Sequence, residues 1–478
     1  MKLSSLVSGS TCPIHIIGIG GIGMSGLAKL LHQNNYIVQG SDIQENQQTK
    51  SLRGLGIKIF IGHNESNING STLIVKSSAI KNNNPEILAA KDKSIPVILR
   101  AELLSNMLLD RYNICITGTH GKTSTTSLMY SMFQYLNKNP TVICGGIINA
   151  INSNVYKGKS NINIVEADES DGTFLVLPTN IGVITNIDSE HLDYYRSIEN
   201  IIKAYKLFID KVLLSDLLVA CDDCKYLSKI NTTYLKHSKY VTYGLNSRNA
   251  DIRAVDIKNT DKGLVFDVLL SKKFQQKIKQ NLSIMQGVML NSFGMHNILS
   301  ALACIAVALF KGGKEKTIKT ALLKTQGVQR RFTVIGEANG VTFVDDYAHH
   351  PREIQATLEM AKVYVAQSNG KVFAVFQPHR YSRFKELYDQ FLKSFEAADY
   401  LLVLDVYSAG EKEIPEVSSK KFVNEVDESI KTFYCKNGIQ VTENIKKHCK
   451  PRDYIIFMGA GNISEIAYKV FSSINASV

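Results

Sequence analysis

Short apolar runs alternate with amphipathic segments along most of this chain, and a polar cluster follows nearly every run. Apolar runs of four or five residues predict buried strands, and longer segments with helical spacing predict helices. Alternating strands and helices are typical of an α/β fold with mostly parallel sheets. The ligand crevice of an open parallel sheet lies at the carboxyl ends of its strands. We therefore expect the polar clusters to line the ligand sites.

The most informative polar cluster follows the predicted strand at 113–116 and leads into a predicted helix. Over 117–125 it reads Thr-Gly-Thr-His-Gly-Lys-Thr-Ser-Thr. In such a turn the backbone N–H groups and the helix N-terminus bind phosphates, Lys122 supplies a positive charge, and Thr123 offers a hydroxyl to Mg²⁺. The general P-loop pattern has Gly where this chain has Ile116, so the loop is a shorter variant. We predict that it binds ATP or GTP.

An earlier glycine cluster, Gly18-Ile-Gly20-Gly21-Ile-Gly23, follows the first predicted strand. Three interpretations of this turn are open. It could bind a dinucleotide, with Asp42 on a ribose hydroxyl, because Asp42 comes about 20 residues later. It could hold the diphosphate of another nucleotide, or it could be a tight turn without a ligand. Because strand, turn and helix agree, we favour a bound diphosphate.

The strand–helix alternation divides into three parts, which predicts three domains. Residues 1–109 are expected to form a Rossmann-like domain, and 110–325 a P-loop-type ATPase domain with a mostly parallel sheet. Residues 326–478 are expected to form a second Rossmann-like domain. At roughly 150 residues per domain, the chain length fits this division. The predicted strands are 14–17, 36–39, 73–76, 113–116, 162–165, 181–185, 264–270, 283–289, 341–344, 372–376, 400–404 and 454–457.

Two further candidates follow predicted strands of the central part. Glu166 comes directly after the apolar run 162–165, where a carboxylate is costly unless it is paired or binds a cation. Mg²⁺ prefers oxygen ligands and often takes one or two carboxylates with phosphate oxygens. Glu166 is therefore a candidate Mg²⁺ ligand together with Thr123. His191 follows the run 181–185 and is a second metal ligand, a hydrogen-bonding partner or a surface histidine.

Basic and imidazole side chains follow two strands of the last part. They could bind a carboxylate or phosphate of a substrate through charge-assisted hydrogen bonds. A zinc site is disfavoured, because adjacent histidines rarely face one ion. Arg331, which lies at the predicted boundary of this part, could reach ATP as a mobile cation in phosphoryl transfer. The candidates after the two strands are His349, His350, His379, Arg380 and Arg383.

A formal net charge of +12 changes this picture little. The basic residues are scattered, so we expect anionic small-molecule substrates and no nucleic-acid partner. The longest apolar run, 299–310, is too short to cross a bilayer, and the first nine residues do not resemble a signal peptide. We therefore expect a cytoplasmic protein without membrane insertion, with its eight cysteines reduced.

Seven motifs occur in a fixed order along the chain. They are Ile17-Gly-Ile-Gly-Gly-Ile-Gly-Met-Ser-Gly26, Thr117-Gly-Thr-His-Gly-Lys-Thr123, Glu166-Ala-Asp-Glu-Ser-Asp171, Asn186-Ile-Asp…His191-Leu-Asp193, Gly294-Met-His-Asn297, Arg330-Arg-Phe332 and Asp345-Asp-Tyr-Ala-His-His-Pro351. Together they resemble one family, the Mur ligases of peptidoglycan synthesis. The resemblance spans about residues 14–465 and is strongest to the members that join L-alanine to UDP-N-acetylmuramate.

The resemblance implies a role for each domain. The first would bind the UDP-sugar, the second ATP and probably two Mg²⁺ ions, and the third the amino acid, closing over the site. ATP would convert the lactyl carboxylate to an acyl phosphate, which the amine of L-alanine attacks. The enzyme would be a monomer or a homodimer. By the same resemblance, Lys122, Glu166 and His191 would be catalytic, with Thr123 and Glu166 on one metal ion and His191 on the other.

The resemblance also assigns binding residues. The ATP candidates are Gly118, Thr119, His120, Gly121, Lys122, Thr123, Ser124, Asn297, Arg331, Asp345 and Asp346. The UDP-sugar candidates are Gly20, Gly21, Ile22, Gly23, Asp42, Ser77 and Ser78, and those for the amino-acid end are His349, His379, Arg380 and Arg383. Ser300 and Thr333 depart from the family pattern and put the fine geometry of the ATP pocket in doubt.

Three rival functions were weighed against this one. A murein peptide recycling ligase shares the Lys122 loop but usually differs in the first glycine cluster. A nicotinamide-dependent oxidoreductase would explain that first cluster and leave Lys122 and Glu166 unexplained. A nucleic-acid-dependent ATPase would fit the net charge, but the sequence has no basic surface interleaved with aromatic residues.

Overall fold

The computed structural model describes residues 12–260, 263–366 and 369–476. These residues form three sheets and divide between Gly327 and Val328 into two compact units. The first unit contains two of the sheets and the second unit contains the third. Together they are the three-domain α/β fold with mostly parallel sheets that the sequence predicts.

The first sheet has the strand order β3-β2-β1-β4-β5, with every neighbouring pair parallel. Its strands are β1 (Ile14–Ile17), β2 (Val38–Asp42), β3 (Lys58–Ile61), β4 (Leu73–Lys76) and β5 (Val97–Leu99). Its helices are α1 (Ile22–Gln33), α2 (Gln47–Gly54), α3 (Pro85–Asp92) and α4 (Arg100–Leu108), with a 3₁₀ turn at Glu65–Ile68. β1 is completely buried, as expected for the central strand of a parallel sheet covered on both faces.

The strand predicted at 36–39 starts and ends later in the structure, as β2. Asn35, at φ 65°, turns the chain after α1, and parallel pairing then places Val38 opposite Ile14 and Ser41 opposite Ile17. The strand therefore extends to Asp42 through Gly40 and Ser41. Apolar periodicity does not reveal this extension, since two of the added residues are polar.

The second sheet has the order β15-β14-β13-β12-β11-β10-β6-β9-β7-β8. The strands are β6 (Tyr112–Thr117), β7 (Thr141–Ile148), β8 (Ser153–Tyr156), β9 (Ile162–Glu166), β10 (Ile181–Ile184), β11 (Leu217–Cys221), β12 (Tyr240–Gly244), β13 (Ile252–Thr260), β14 (Gly263–Leu270) and β15 (Ile284–Leu290). The run from β12 to β7 is parallel, as is the β12–β13 pair, whereas β13–β14, β14–β15 and β7–β8 are antiparallel.

The helices of this part cover the sheet and join its strands. They are α5 (Lys122–Tyr135), α6 (Thr173–Val176), α7 (Leu192–Tyr195), α8 (Ile198–Leu213), α9 (Lys225–Tyr234), α10 (Lys272–Ile278), α11 (Met295–Phe310) and α12 (Glu315–Leu323), with a 3₁₀ turn at Asn149–Ile151. The apolar run at 299–310 lies in α11, whose middle and C-terminal turns are almost wholly buried. In the part of the chain that is described, no helix combines the length and the apolar character needed to cross a membrane.

β6 lies between β9 and β10, which sets the position of the central site. All three strands are parallel, with Ile116 opposite Glu166 on one side and Thr117 opposite Ile184 on the other. The segments that leave these strands therefore emerge side by side at one edge of the sheet. One contiguous hydrophobic core contains residues of both the first and the second sheet.

The third sheet has the order β16-β17-β21-β18-β19-β20, antiparallel at β16–β17 and otherwise parallel. Its strands are β16 (Thr333–Ala338), β17 (Val341–Asp346), β18 (Val372–Phe376), β19 (Tyr400–Leu404), β20 (Lys431–Cys435) and β21 (Tyr454–Met458). Its helices are α13 (Pro351–Ala366), α14 (Tyr381–Glu386), α15 (Tyr388–Leu392), α16 (Ser419–Glu425), α17 (Gly438–His448) and α18 (Ile463–Asn475). Separate cores lie on its two faces.

Candidate active site

The Lys122 loop connects β6 to α5 through a backbone that only glycine accommodates at one position. Gly118 has φ +131°, and a Cβ there would lie 2.0 Å from the Thr185 hydroxyl oxygen and 2.9 Å from the Asn186 nitrogen. Gly121 has φ +79° and directly precedes α5, which has no side-chain N-cap. Uncapped N–H groups in the first helical turn are available to an anion.

Residues after β10 hold this loop through several hydrogen bonds. Asn186 accepts from the His120 N–H at 2.8 Å and donates its amide to the His120 carbonyl at 3.0 Å. The Thr185 hydroxyl donates to the same carbonyl at 2.7 Å. The Asp188 N–H donates to the Thr119 hydroxyl at 2.8 Å, and the His120 ring lies 3.3 Å from the Asp188 carboxylate. The segment that follows the neighbouring parallel strand β10 thus fixes the conformation of the Lys122 loop.

Lys122 is almost buried, and its ammonium group lies inside the loop. It donates to the carbonyls of Gly118 and Thr119 at 2.6 and 3.1 Å, and it forms an ion pair with Glu169 at 2.8 Å. Burial by itself lowers the pKa of Lys122, but the nearby charges of Glu169 and Asp168 outweigh burial and raise that pKa above its usual range. Lys122 is therefore a fixed positive charge at the start of α5.

Glu166 ends β9 and meets the side chain of Thr123. The Thr123 hydroxyl donates to one carboxylate oxygen at 3.0 Å, and the Gly145 N–H donates to the other at 2.6 Å. The Cys144 thiol also donates to Glu166, at 3.5 Å. Burial and the Glu166 charge raise the pKa of Cys144 well above its usual range, so the thiol stays protonated. A hydroxyl and a carboxylate at this separation are a suitable oxygen pair for Mg²⁺.

His191 lies on the other side of Glu169. It precedes α7 with φ 57°, and its Nε2 atom is 3.5 Å from Glu169 and 3.7 Å from Glu190. Burial lowers the pKa of His191, but the hydrogen bond to Glu169 and the charges of Glu169 and Glu190 raise it overall. Glu169 therefore contacts both Lys122 and His191. Glu169 belongs to the motif at 166–171 but was not predicted to be a site residue.

Asn297 lies in the first turn of α11, which packs against α5. Its amide donates to the Ser292 hydroxyl at 3.0 Å and to the Phe293 carbonyl at 2.6 Å. Ser300, one of the two departures from the family pattern, accepts a hydrogen bond from the Thr125 hydroxyl at 3.0 Å. Ser124 is half-buried in the first turn of α5. The departure at Ser300 is thus part of the packing behind the Lys122 loop.

The first glycine turn, between β1 and α1, is held by both backbone and side-chain hydrogen bonds. The N–H groups of Gly18 and Ile19 donate to the Ser41 carbonyl at 2.8 and 3.0 Å. The Gly20 N–H donates to Asp42 at 2.8 Å, and the Asn46 amide donates to the Gly20 carbonyl at 3.2 Å. Gly21 precedes α1 without a side-chain cap. Ser77 and Ser78 follow β4, and Ser77 caps its own turn by accepting from the Ala79 N–H. Asp42 thus contacts the glycine turn itself.

In the second unit, Asp345 and Asp346 end β17 and contact the segment at the start of the unit, around Arg330 and Phe332. Asp346 accepts from the N–H groups of Phe332 and Ala348, each at 2.7 Å. Asp345 accepts from the Ser464 hydroxyl and lies 3.5 Å from Arg330. Burial raises the pKa of both carboxyls, although Ser464 and Arg330 oppose the shift at Asp345 and Arg331 opposes it at Asp346.

The histidine and arginine candidates of this unit lie together after β17 and β18. His349 is 3.3 Å from Glu353, which also pairs with Arg331 at 3.4 Å. The His379 ring stacks on Tyr407 at 5.6 Å between centroids and accepts from Arg383 at 3.4 Å. Burial, with Arg383, His349 and Arg380, lowers the pKa of His379 to about 4. His379 is therefore a neutral acceptor in this cluster.

The structure brings the central candidates to one edge of the second sheet. Gly118 to Ser124, Glu166 and His191 lie at the carboxyl ends of β6, β9 and β10. Sequence reasoning did not select Arg100, Cys144, Glu169, Asn186, Glu190, Glu353 or Tyr407, each of which contacts a selected residue or its neighbours. Glu169 could have been found from the sequence, because it is a second acidic residue close after a buried strand.

Fold and site define an α/β enzyme that uses a nucleoside triphosphate. Three family models match the chain: the Mur ligase family catalytic domain at 13–112, the Mur ligase middle domain at 116–308, and the Mur ligase glutamate ligase domain at 330–461. The chain belongs to the Mur ligase family and is an ATP-dependent ligase that forms amide bonds.

Individual relatives are similar over nearly the whole chain. A UDP-N-acetylmuramate–L-alanine ligase from Rickettsia bellii is 43% identical over 460 residues, which are 95% of this chain and 95% of the relative. The ligase of the same name from Rickettsia felis is 44% identical over 457 residues, again 95% of each chain. The crystal structure of UDP-N-acetylmuramate–alanine ligase from Thermotoga maritima matches with a TM-score of 0.81 and 28% identity, over 98% of this chain and 100% of that one.

Proposed function

We propose that this protein joins L-alanine to the lactyl carboxylate of UDP-N-acetylmuramate at the expense of ATP, for peptidoglycan precursor synthesis. Two Rickettsia relatives of that name match over 95% of each chain at more than 40% identity. The observation that carries the chemistry is the Lys122 loop, in which Lys122 and Thr123 open α5 and Thr123 lies 3.0 Å from Glu166. We further propose the domain divisions 1–109, 110–325 and 326–478, for UDP-sugar, ATP and amino acid respectively.

The chain's own residues suit the transfer of a phosphoryl group. Backbone N–H groups of Gly118 to Ser124 would bind the ATP phosphates. Lys122 would give up its ion pair with Glu169 and bind phosphate oxygens instead. Asn297, Arg331, Asp345 and Asp346 remain candidates for further ATP contacts. In such transfers catalysis is mostly positioning and electrostatic stabilisation, so a preorganised lysine is the main requirement.

The donor set of the central site fits magnesium. The Thr123 hydroxyl and the Glu166 carboxylate are oxygen donors on one side of Lys122, and His191 is an imidazole donor on the other. When bound there, Mg²⁺ neutralises charge on the phosphoryl group. We propose Thr123 and Glu166 for one ion and His191 for a second.

The reaction proceeds in two balanced steps. A lactyl carboxylate oxygen attacks the γ-phosphorus, the bond to ADP breaks, and an acyl phosphate forms. The alanine nitrogen then attacks the acyl carbon, phosphate leaves, and the amine loses a proton. The cluster of His349, His379, Arg380 and Arg383 would hold the alanine carboxylate, since arginine pairs strongly with carboxylates.

Steady-state assays with each substrate omitted in turn test this proposal. Phosphate release and amide formation should require ATP, UDP-N-acetylmuramate and L-alanine together. Lys122→Ala should lower kcat by about 100-fold or more, since it removes a charge that stabilises the transition state. Lys138→Ala, an exposed lysine of the same domain, is the matched control and should keep wild-type activity.

Other outcomes would point to the rival functions. A preference for a tripeptide over L-alanine would indicate a murein peptide ligase, and the structure of one from Psychrobacter arcticus shares this fold with a TM-score of 0.71. Phosphate release stimulated by RNA or DNA, or hydride transfer to a nicotinamide, would contradict the proposal. We also propose a cytoplasmic location and a monomeric or homodimeric state.

A further inference from the structure

Arg100, which no motif of the sequence analysis included, lies against the first glycine cluster. It is the first residue of α4, and its side chain points back toward α1. A Cβ atom placed on Gly23 would lie 3.1 Å from Nη1 of Arg100 and 3.7 Å from its Cδ. A larger residue than glycine at position 23 would therefore push the guanidinium group away from the first turn of α1.

The other end of the guanidinium group faces the central domain. Nη2 of Arg100 lies 3.4 Å from Asp168 and 3.6 Å from Asp171, and both carboxylates belong to the segment that follows β9. Among the described residues, Nη1 has no acceptor, although it is the nitrogen beside Gly23. The side chain is 23% exposed, so a ligand can reach it.

Given the proposed function, we propose that Nη1 of Arg100 binds the diphosphate of the sugar nucleotide beside Gly23. Arginine presents a planar set of donors that matches phosphate oxygens. Asp168 and Asp171 form ion pairs with Nη2, which leaves Nη1 directed toward the glycine turn. The uncapped first turn of α1 would supply backbone N–H donors to the same anion.

The two carboxylates give this arrangement a consequence for binding. Asp168 and Asp171 partly neutralise Arg100 and compete with the diphosphate for its charge. Asp171 also accepts from the Thr173 N–H through Oδ1, whereas Oδ2 faces Arg100. The change Asp171→Asn therefore keeps the local turn and removes only the competing charge.

Calorimetric titration of three uridine nucleotides tests the inference. UDP contains the diphosphate, UDP-N-acetylglucosamine adds a sugar, and UDP-N-acetylmuramate adds the lactyl carboxylate. Arg100→Gln should raise the Kd of all three by a similar factor, about tenfold for a lost charge-assisted hydrogen bond, while the Kd for ATP stays unchanged. Arg53→Gln is the control, since Arg53 is an exposed arginine of the same domain that pairs with Glu45.

Asp171→Asn distinguishes ligand binding from a purely structural ion pair. If Arg100 binds diphosphate, Asp171→Asn should tighten UDP two- to threefold, opposite in sign to Arg100→Gln. If the ion pairs of Arg100 with Asp168 and Asp171 only join the two domains, Asp171→Asn and Arg100→Gln should both weaken UDP binding or leave it unchanged. Either of these two results for Asp171→Asn would overturn the inference.

Two further outcomes would also overturn it. A loss restricted to UDP-N-acetylmuramate would mean that Arg100 contacts the lactyl carboxylate instead of the diphosphate. Equal Kd values for wild type and Arg100→Gln would mean that it contacts neither. If wild-type protein binds no uridine nucleotide, the proposed function itself fails. In steady state, Arg100→Gln should raise KM for the sugar nucleotide more than it lowers kcat.

Discussion

Two glycine-rich turns of the first unit, one after β1 and the other after β6, use the same strand–turn–helix device but are held in different ways. Backbone and side-chain atoms of the segment that follows β10 hold the second turn, and Gly118 there has no room for a Cβ. In the first turn, the N–H groups of Gly18 and Ile19 donate to the Ser41 carbonyl of β2, whereas the surroundings of Gly20 are the flexible side-chain ends of Asp42 and Asn46.

The charge of each turn also has a different origin. The second turn contains its own cation, Lys122, which Glu169 holds. The first turn has no basic residue, and its nearest guanidinium group comes from Arg100 at the start of α4. The residues around a glycine-rich turn therefore decide whether it is rigid and carries its own charge, or is adaptable and depends on a neighbouring residue for charge. Four predictions test this difference.

Gly118→Ala should have the largest effect. The new methyl group would overlap the Thr185 hydroxyl in a backbone of φ +131°, so the loop has to move. We expect kcat/KM for ATP to fall about 100-fold, as displacement of a catalytic loop by roughly 1 Å does. We expect the free energy of unfolding to fall by about 2 kcal/mol. Urea titration and steady-state kinetics measure both.

Gly312→Ala is the matched control for this change. Gly312 also has a positive φ, +80°, but no atom lies within 4 Å of the added Cβ. Gly312→Ala should lower the free energy of unfolding modestly, as Gly118→Ala does, but it should keep the wild-type KM for ATP. Equal kinetic effects of the two changes would contradict a role for close packing in the second turn.

Glu166→Gln should test whether the rigid turn is also the metal site. The amide can still accept from Thr123, but the charge that attracts a cation is lost. We expect the Mg²⁺ concentration for half-maximal activity to rise about tenfold, with partial recovery at high Mg²⁺. Glu190→Gln, which removes a carboxylate on the His191 side, should shift it less. An unchanged Mg²⁺ requirement in Glu166→Gln would show that Glu166 is not a ligand.

Gly20→Ala should have a smaller effect, because the first turn can yield. A Cβ there would lie 2.6 Å from the Asn46 amide and 2.8 Å from Asp42, both of which are movable side-chain ends, and 3.0 Å from the Thr49 methyl group. Losing one hydrogen bond costs about 1 kcal/mol, so we expect the Kd for UDP to rise about fivefold. The Kd for ATP should not change. If Gly20→Ala weakened UDP binding about 100-fold, the same factor as the expected loss of kcat/KM in Gly118→Ala, the two turns would not differ in how well they tolerate a Cβ.

Replacing the asparagine that holds each turn should have the smallest effects. Asn186→Ala removes both hydrogen bonds to His120 and should raise KM for ATP about threefold. Asn46→Ala should instead raise the Kd for UDP about threefold and cost about 1 kcal/mol of stability, since Asn46 also caps α2. Isothermal titration with both nucleotides checks this crossed pattern, and a variant that weakens both nucleotides equally would contradict it.

The sequence predicted the α/β class, the parallel sheets and the strand ends that carry the candidate residues. It did so because buried strands of parallel sheets are short apolar runs, and glycine turns with lysine are local patterns. The strands that were not predicted are β3, β5, β7, β8, β11, β12, β13, β16 and β20. Several of them are short, half-buried or at a sheet edge, so neighbouring strands define them more than their own residues do.

The side-chain partners of the site were less predictable. Glu169 and Glu166 stand three residues apart in one acidic run, yet one pairs with Lys122 and the other with Thr123. Which carboxylate meets which group depends on the pairing of β9 with β6 and on the turn that follows. Neither is visible in local composition.

Consecutive residues are enough to establish that this chain makes two glycine-rich turns on strand–helix units, with a lysine in only one of them. The contacts of Asn186 and Thr185 with the Lys122 loop, of Glu169 with Lys122 and of Arg100 with Gly23 arise only in the folded chain. These contacts join residues more than 40 positions apart, and the pairing of the parallel strands brings them together.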